Sequence, residues 1–353
     1  MARIVLADDG IEFDGQSLER GPLGGVESSI INLVAELARR GHDVHVRNNC
    51  REAMDHLGVT WRPISSGEWP DGVDLYIANR GDKLIGLMPD ARRSVFWIHN
   101  PARYLMKWRY LSKLWRYKPA IIFIGHVHAT TYPAWAPGGE RVVIPYGLSD
   151  DFCTAETATE PPGPRAVFTS NPLRSLDWLL DLWAERVRPQ VPDAEFHLFT
   201  GAATYGAVGA GKADPMARVL EKAETLAASG VVVRGPVSKA QLIEEFRSAR
   251  CMLYRGDINE TFCLAVGEAQ AMGVPTVVQD LGSVVERVVD GETGFVRPTD
   301  AGFADAAVEL LRDDALWRRQ HARALELQRS WRWPDAAKAF EALIPFDAPA
   351  GSR

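Results

Sequence analysis

Short apolar runs rich in β-branched residues alternate with longer stretches in which apolar residues recur every three or four positions. This is the pattern of parallel sheets connected by crossover helices. In the first half it predicts strands at Arg3–Ala7, Asp43–Arg47, Asp74–Ala78, Ser94–Ile98, Ala120–Ile124 and Arg141–Pro145. A helix is expected over Val26–Arg40, with Ile30, Leu33, Val34 and Leu37 on one face and Gly41 as its stop signal. The run Thr154–Arg165, rich in Pro, Gly, Thr and Glu, has no apolar period and reads as a linker. A second set follows, with strands near Ala166–Thr169, Glu195–Thr200, Val231–Arg234, Cys251–Tyr254 and Pro275–Val278. Helices are expected over Ser175–Val187, Pro215–Ala228, Lys239–Ala249 and Phe262–Met272, and several more between Ala301 and Leu343. The pattern thus describes two α/β domains, about 1–150 and 151–330, with a helical tail at 331–353. Two doubly wound sheets would face each other across a cleft lined by their carboxyl ends, where such sheets bind ligands.

Length and composition narrow the class without naming a function. A chain of 353 residues suits two domains, and 46% hydrophobic with 24% charged residues is globular composition. A net charge of −6 gives no sign of a nucleic-acid partner. The first residues lack a signal-peptide layout, and no apolar stretch nears the ~20 residues of a membrane span. The expected location is therefore cytoplasmic, at most peripheral on the inner face of a membrane. Four scattered cysteines (Cys50, Cys153, Cys251, Cys263) form no C-x-x-C pair, against both a zinc site and a disulfide framework.

The most informative segment runs from Asn259 to Glu268. A strand passes through a polar turn into a helix expected to begin near Phe262. Glu260 then stands just before the helix and Glu268 about 10 Å further along one side. Free N–H groups of the first turn, Thr261, Phe262, Cys263 and Leu264, would favour a phosphate there. By itself such a pair reads more readily as a helix cap, Glu260, and a solvated surface charge, Glu268. The loop Gly21–Gly25 precedes the first helix, and adjacent Gly24 and Gly25 would let a ligand approach the backbone closely. It is not G-x-G-x-x-G, so a nicotinamide cofactor is not indicated. Gly206–Ala213 approaches a phosphate-binding P-loop, but Ala213 replaces the hydroxyl residue and Pro215 follows at once. It reads as a glycine-rich loop over a ligand. No D-x-D triplet occurs, and His126 with His128 alone makes no metal site.

Continuing from Glu268, the string AQAMGVPTVVQDLGSVVERVVDGETGFV resembles the donor-binding half of the GT-B glycosyltransferases, specifically retaining family four. The Glu-x7-Glu spacing, the strand after it and the D-G-E-T-G-F turn all match. GPLGGVESSIINLVAELARRGHDVHV is similar to that family's opening loop and first helix, and SWRWPDAAKAFEALI to the tail by which members return to the first domain. The resemblance covers about Arg3 to Trp333. It implies transfer of a sugar from a nucleoside diphosphate sugar to a hydroxyl acceptor, with retention at the anomeric carbon, in cell-surface glycan or glycolipid synthesis. The acceptor would be a glycan, a lipid-linked or a small molecule; neither cofactor nor metal is expected. Arg174 and the first-turn N–H groups would take the diphosphate, Glu268 the ribose and Glu260 the sugar hydroxyls. His99 would line the reacting face by hydrogen bonding to sugar hydroxyls, and Gly24 and Gly25 would face the donor or acceptor. Where members usually carry an arginine and a lysine after the first strand of the second domain, only Arg174 stands here. Lys239, Arg234 and Arg255 are the candidates to replace the missing cation. The alternatives are a non-catalytic nucleotide-sugar-binding protein and a same-fold epimerase.

One stretch falls outside that picture. From Ala91 to Gly139 there is no Asp or Glu, while eight Lys and Arg fall inside. Over 103–118, Tyr104, Trp108, Leu111 and Trp115 make a stripe at helical spacing, with Arg109, Lys113 and Arg116 opposite. Two readings stand: a core stripe with a solvated basic face, or a basic amphipathic helix lying on anionic lipid.

Overall fold

The computed structural model describes residues 1–21, 23–201 and 213–345. They divide into two compact units: Met1–Arg20, Gly25–Gly147 and Trp333 onward form the first, and Gly21–Gly24 with Leu148–Arg332 the second. The division falls at Gly147/Leu148, upstream of the run at 154–165 where composition suggested it. The reason is packing: Leu148, Phe152 and Cys153 are buried in the second unit's core. The glycine-rich run at 206–212 lies outside the described residues, as does Pro22.

In the first unit, eight strands form one sheet. They are β1 (Arg3–Asp8), β2 (Asp43–Asn48), β3 (Met54–His56), β4 (Val59–Pro63), β5 (Leu75–Asn79), β6 (Arg93–Trp97), β7 (Ala120–Phe123) and β8 (Arg141–Val143). Their order is β3-β4-β2-β1-β5-β6-β7-β8, parallel except for the β3–β4 hairpin. Sequence patterning missed that hairpin. Its strands are short, and its tight turn uses Leu57 and Gly58, both at positive φ, instead of a recognisable Asn-Gly. Residues Ile4–Ala7 of β1 have no exposed surface, as expected of a central strand covered on both faces. The helix Gly25–Arg39 buries Ile30, Leu33, Val34 and Leu37, and Gly41 ends it at φ +91°. Helix Trp333–Glu341 packs on it within the same unit.

The second unit has six parallel strands: β9 (Arg165–Phe168), β10 (Glu195–Leu198), β11 (Val231–Val233), β12 (Cys251–Leu253), β13 (Thr276–Val278) and β14 (Gly294–Val296). The order is β11-β10-β9-β12-β13-β14. β14, which patterning did not predict, needs glycine at 294: a Cβ there would lie 2.0 Å from the Thr276 carbonyl oxygen. Each sheet reverses its winding once, between β1 and β5 in the first unit and between β9 and β12 in the second. Loops leaving such a switch point diverge to opposite faces and open a crevice at the strands' carboxyl ends.

The segment expected as one helix over 103–118 is two. A 3-10 turn, Ala102–Met106, ends at Lys107, whose extended backbone breaks the period, and an α-helix runs Trp108–Tyr117. The aromatic stripe divides: Tyr104 packs against the first unit's core and Leu111 is partly buried. Tyr110 and Leu114 are the buried residues of this helix, whereas Trp108 and Trp115 are 78% and 70% exposed.

Candidate donor-binding site

Arg174 follows β9 and Glu260 follows β12, so the switch point of the second sheet brings them together from separate loops. Arg174 Nη1 lies 3.1 Å from Asp257 Oδ1 and 3.7 Å from Glu260 Oε2. The Tyr254 hydroxyl donates to Glu260 Oε2 at 2.7 Å. Burial works against the charge on Arg174, but Glu260 and its neighbours outweigh it and hold its pKa above the usual value. Burial, with Cys263 and Glu260 nearby, pushes the Tyr254 phenol well up, so it remains a donor to the carboxylate. Sequence reasoning missed Tyr254 and Asp257; their one signal was their place at and just after the end of a predicted strand.

The backbone around Glu260 is fixed from both sides. Its N–H donates to the Asp257 carbonyl at 2.8 Å, and its carbonyl accepts from Ser283 N–H at 3.0 Å. Gly282, at φ +63°, permits the close approach of these two loops. A Cβ there would stand 2.3 Å from the Asp257 carbonyl oxygen and 2.9 Å from that of Glu260.

The helix starts later than the apolar pattern predicted. It spans Leu264–Ala271, with Cys263 as its cap in the left-handed region at φ +63°. Thr261 and Phe262 therefore precede the helix, and the first-turn N–H groups are those of Leu264, Ala265 and Val266. The physical cause is the turn at Cys263, which no helical residue can adopt. The Cys263 thiol is buried and unbridged, and burial with Glu260 nearby pushes its pKa up. Glu268 sits a little over one turn inside the helix, 11% exposed at its side chain, and pairs with Lys239 Nζ. Ser238 and Gln241 form a capping box that fixes Lys239 at the first position of helix Lys239–Arg247. The other candidate cations are engaged elsewhere. Arg234 pairs with Glu245 at 2.9 Å, and Arg255 donates to Gln279 and stacks over Trp178.

His99 lies in the first unit, directly after β6 and the residue Ile98. Asn79 Nδ2 donates to Asp8 Oδ1 at 2.6 Å, so its Oδ1 faces His99 and accepts from Nε2–H. The Tyr146 hydroxyl then donates to Nδ1. Burial, Arg80 and His128 depress the pKa of His99 well below the ordinary value, keeping the ring neutral. Both nitrogens are thus engaged inside the protein. With both nitrogens occupied, the expected hydrogen bonds from the ring to sugar hydroxyls would require Asn79 or Tyr146 to give way. Beside it, Arg80 reaches Asp8 at 2.8 Å and Glu27 at 2.9 Å, an ion network at the first sheet's switch point. Gly25 opens the helix Gly25–Arg39 and is exposed; Gly24 directly precedes it. Among the described residues no group of three or more His, Cys, Asp or Glu gathers as metal ligands.

Residues 164–313 match the family model described as glycosyl transferases group 1. A phosphatidyl-myo-inositol mannosyltransferase of Mycobacterium leprae is 33% identical over 121 residues, 34% of this chain and 32% of that protein. A D-inositol 3-phosphate glycosyltransferase of Streptomyces avermitilis is 35% identical over 136 residues, 38% of this chain and 29% of that protein. The chain thus spans about a third of the length of these curated relatives. Among solved structures, the sucrose-phosphate synthase of Thermosynechococcus elongatus superposes with a TM-score of 0.74 at 15% identity, covering 97% of this chain and 98% of that one. The HepE protein of Anabaena, solved in complex with UDP and glucose, gives 0.71 at 14%, covering 97% and 99%. At such identity these two speak for the fold alone. The second unit thus carries a match to the glycosyl transferases group 1 over residues 164–313, and the two doubly wound units have the fold of the GT-B glycosyltransferases to which the chain is similar.

Proposed function

We propose that this protein is a retaining glycosyltransferase that moves a sugar from a nucleoside diphosphate sugar to a hydroxyl acceptor. The observation that carries the reading is the meeting of Arg174 and Glu260, from the loops after β9 and β12, ahead of the helix Leu264–Ala271. The names of the relatives support the acceptor class, since both contain inositol, a polyol. The neighbour solved with UDP and glucose supports the donor class. A glycan, lipid-linked or small-molecule acceptor in cell-surface glycan or glycolipid synthesis fits the same reading.

In the free protein Arg174 answers two carboxylates, Asp257 and Glu260. A diphosphate placed before Leu264 would meet the first-turn N–H groups of Leu264 and Ala265 and the positive end of the helix. It would draw Arg174 away from Asp257, leaving the Glu260 carboxylate to orient sugar hydroxyls while Tyr254 steadies it. Lys239 is the second cation in this scheme. It is the one of the three candidates already bound to a site carboxylate, and its side chain is half exposed and able to swing. Glu268, released from Lys239, then accepts from the ribose hydroxyls. His99 acts as a positioning residue, a neutral ring held by Asn79 and Tyr146. The bond from the anomeric carbon to the phosphate oxygen breaks as that from the acceptor oxygen forms on the same face. The acceptor's proton passes to the departing phosphate, and preorganised cations stabilise the charge that develops there.

Glu260→Gln is isosteric and keeps the contact with Tyr254. Turnover in donor hydrolysis or transfer is expected to fall by about two orders of magnitude or more, the scale of a lost preorganised contact, with an unchanged melting temperature. Near-normal turnover by this variant would remove Glu260 from the chemistry and the proposal with it.

A further inference from the structure

Helix Trp108–Tyr117 lies in the first unit and shows a face that folding does not use. Tyr110 and Leu114, four apart, turn inward. Trp108 and Trp115, seven apart, fall within about 20° of each other on the outward side, separated by roughly 10 Å along the axis. Arg109 and Arg116 repeat the same seven-residue spacing beside them and are also exposed. Lys107 and Lys118, both exposed, stand at the two ends. Such a pair of uncovered indoles is costly to leave in water, since each offers on the order of 200 Å² of largely apolar surface.

Charge says what covers it. The stretch 91–139 holds eight basic residues and no acidic one, in a chain whose net charge is −6. Asp82 is the acid that reaches this helix, and it is taken up by Lys113 at 3.2 Å and Arg109 at 3.5 Å. Lys107, Arg116 and Lys118 have no acidic partner within ion-pair distance among the described residues. A second copy of the chain would set these like charges against each other. An anionic bilayer meets both demands: indoles settle at the headgroup level, and a row of Lys and Arg beside them faces lipid phosphates. No helix among the described residues is long and apolar enough to cross a membrane, so the contact is one of lying on the surface.

We propose that the Trp108/Trp115 face, flanked by Lys107, Arg116 and Lys118, docks this protein on anionic phospholipid bilayers. The inference does not depend on which sugar is moved, because docking is measured without donor or acceptor.

The test is co-flotation of the full chain with vesicles of phosphatidylcholine containing about a third phosphatidylglycerol, against pure phosphatidylcholine. Wild-type protein should float with the anionic vesicles, stay behind with the neutral ones, and detach as salt is raised. Trp108→Ala with Trp115→Ala should weaken partitioning at least about tenfold, as should Lys107→Glu with Arg116→Glu, each basic residue contributing about fivefold near such a surface. Because these side chains are exposed, both double variants should melt with the wild type, and melting curves identify any that do not fold. Absence of wild-type binding, binding indifferent to either double variant, or equal binding to neutral vesicles would overturn the proposal. So would a dimer in sedimentation that dissociates on removing the two tryptophans, since the face would then belong to a second copy.

Discussion

Replacing Gly282 by alanine tests whether the loop carrying Glu260 is held where the proposed chemistry needs it. Two costs arise. The backbone sits at φ +63°, a left-handed conformation costing an alanine about 1 kcal/mol or somewhat more. The new Cβ would also meet the Asp257 carbonyl oxygen at 2.3 Å and that of Glu260 at 2.9 Å. Restoring ordinary contact requires an opening of about 1 Å, and overpacking of this kind costs about 1–3 kcal/mol. Gly291 supplies the control: its φ is +79°, yet a Cβ there meets nothing within 4 Å. Gly291→Ala should therefore show the conformational cost alone. At about 2–4 °C per kcal/mol for a unit of this size, Gly282→Ala should lower the melting temperature by roughly 5–15 °C and Gly291→Ala by only a few degrees. The catalytic consequence should be larger still, because a 1 Å displacement of a positioned group costs about a hundredfold in rate. Scanning fluorimetry and donor turnover on the two variants give both readings. If Gly282→Ala proves no worse than Gly291→Ala in melting and turnover alike, the idea that this contact fixes Glu260 is wrong.

Other outcomes follow from the same geometry. Arg80→Met would leave Asp8 and Glu27 buried without their cation, and chemical denaturation should show a loss of about 3–5 kcal/mol in the first unit; a loss under 1 kcal/mol would mean the network is not structural. Burial depresses the pKa of His128 to about 4, against the partial opposition of its bond to the Asn100 carbonyl. The unfolded chain therefore binds this proton first. Stability is complete above about pH 6.5 and declines by about 3 kcal/mol as pH falls towards 4. His128→Gln should flatten part of that decline, and a wild-type stability constant from pH 7 to 4.5 would contradict it. Lys239→Ala should raise the donor concentration needed for half-maximal turnover about tenfold or more, as loss of a charge-assisted contact would; an unchanged value would return the second cation to Arg234 or Arg255.

Local signals carried much of the architecture, and their failures are instructive. Strands β1, β5 and β9 were legible because burial on both faces demands continuous apolar runs. β3, β4 and β14 were not: three to five residues give no period, and β14 depends on Gly294 letting two backbones touch. The start of helix Leu264–Ala271 was misplaced by two residues, because a cysteine in a left-handed turn leaves no mark in an apolar pattern. The stripe at 104–115 had the spacing of a core face, but the break at Lys107 leaves Tyr104 on the core while Trp108 and Trp115 turn outward, since periodicity fixes which residues share a face and not which way that face points.

By itself the sequence determined the two α/β halves, the glutamate pair at its seven-residue interval, the single arginine after the first strand of the second half, and the acid-free basic stretch. These are properties of composition and spacing, and they survive any arrangement of the elements. Tertiary structure alone decided that Arg174 meets Glu260 and Asp257, that Tyr254 bonds Glu260, that Lys239 holds Glu268, and that His99 spends both nitrogens within its own unit. Those pairings join residues up to dozens of positions apart in the chain. The meeting of Arg174 with Glu260 and Asp257 exists because the second sheet's winding reverses between β9 and β12, and strand order is a long-range choice that no local pattern encodes.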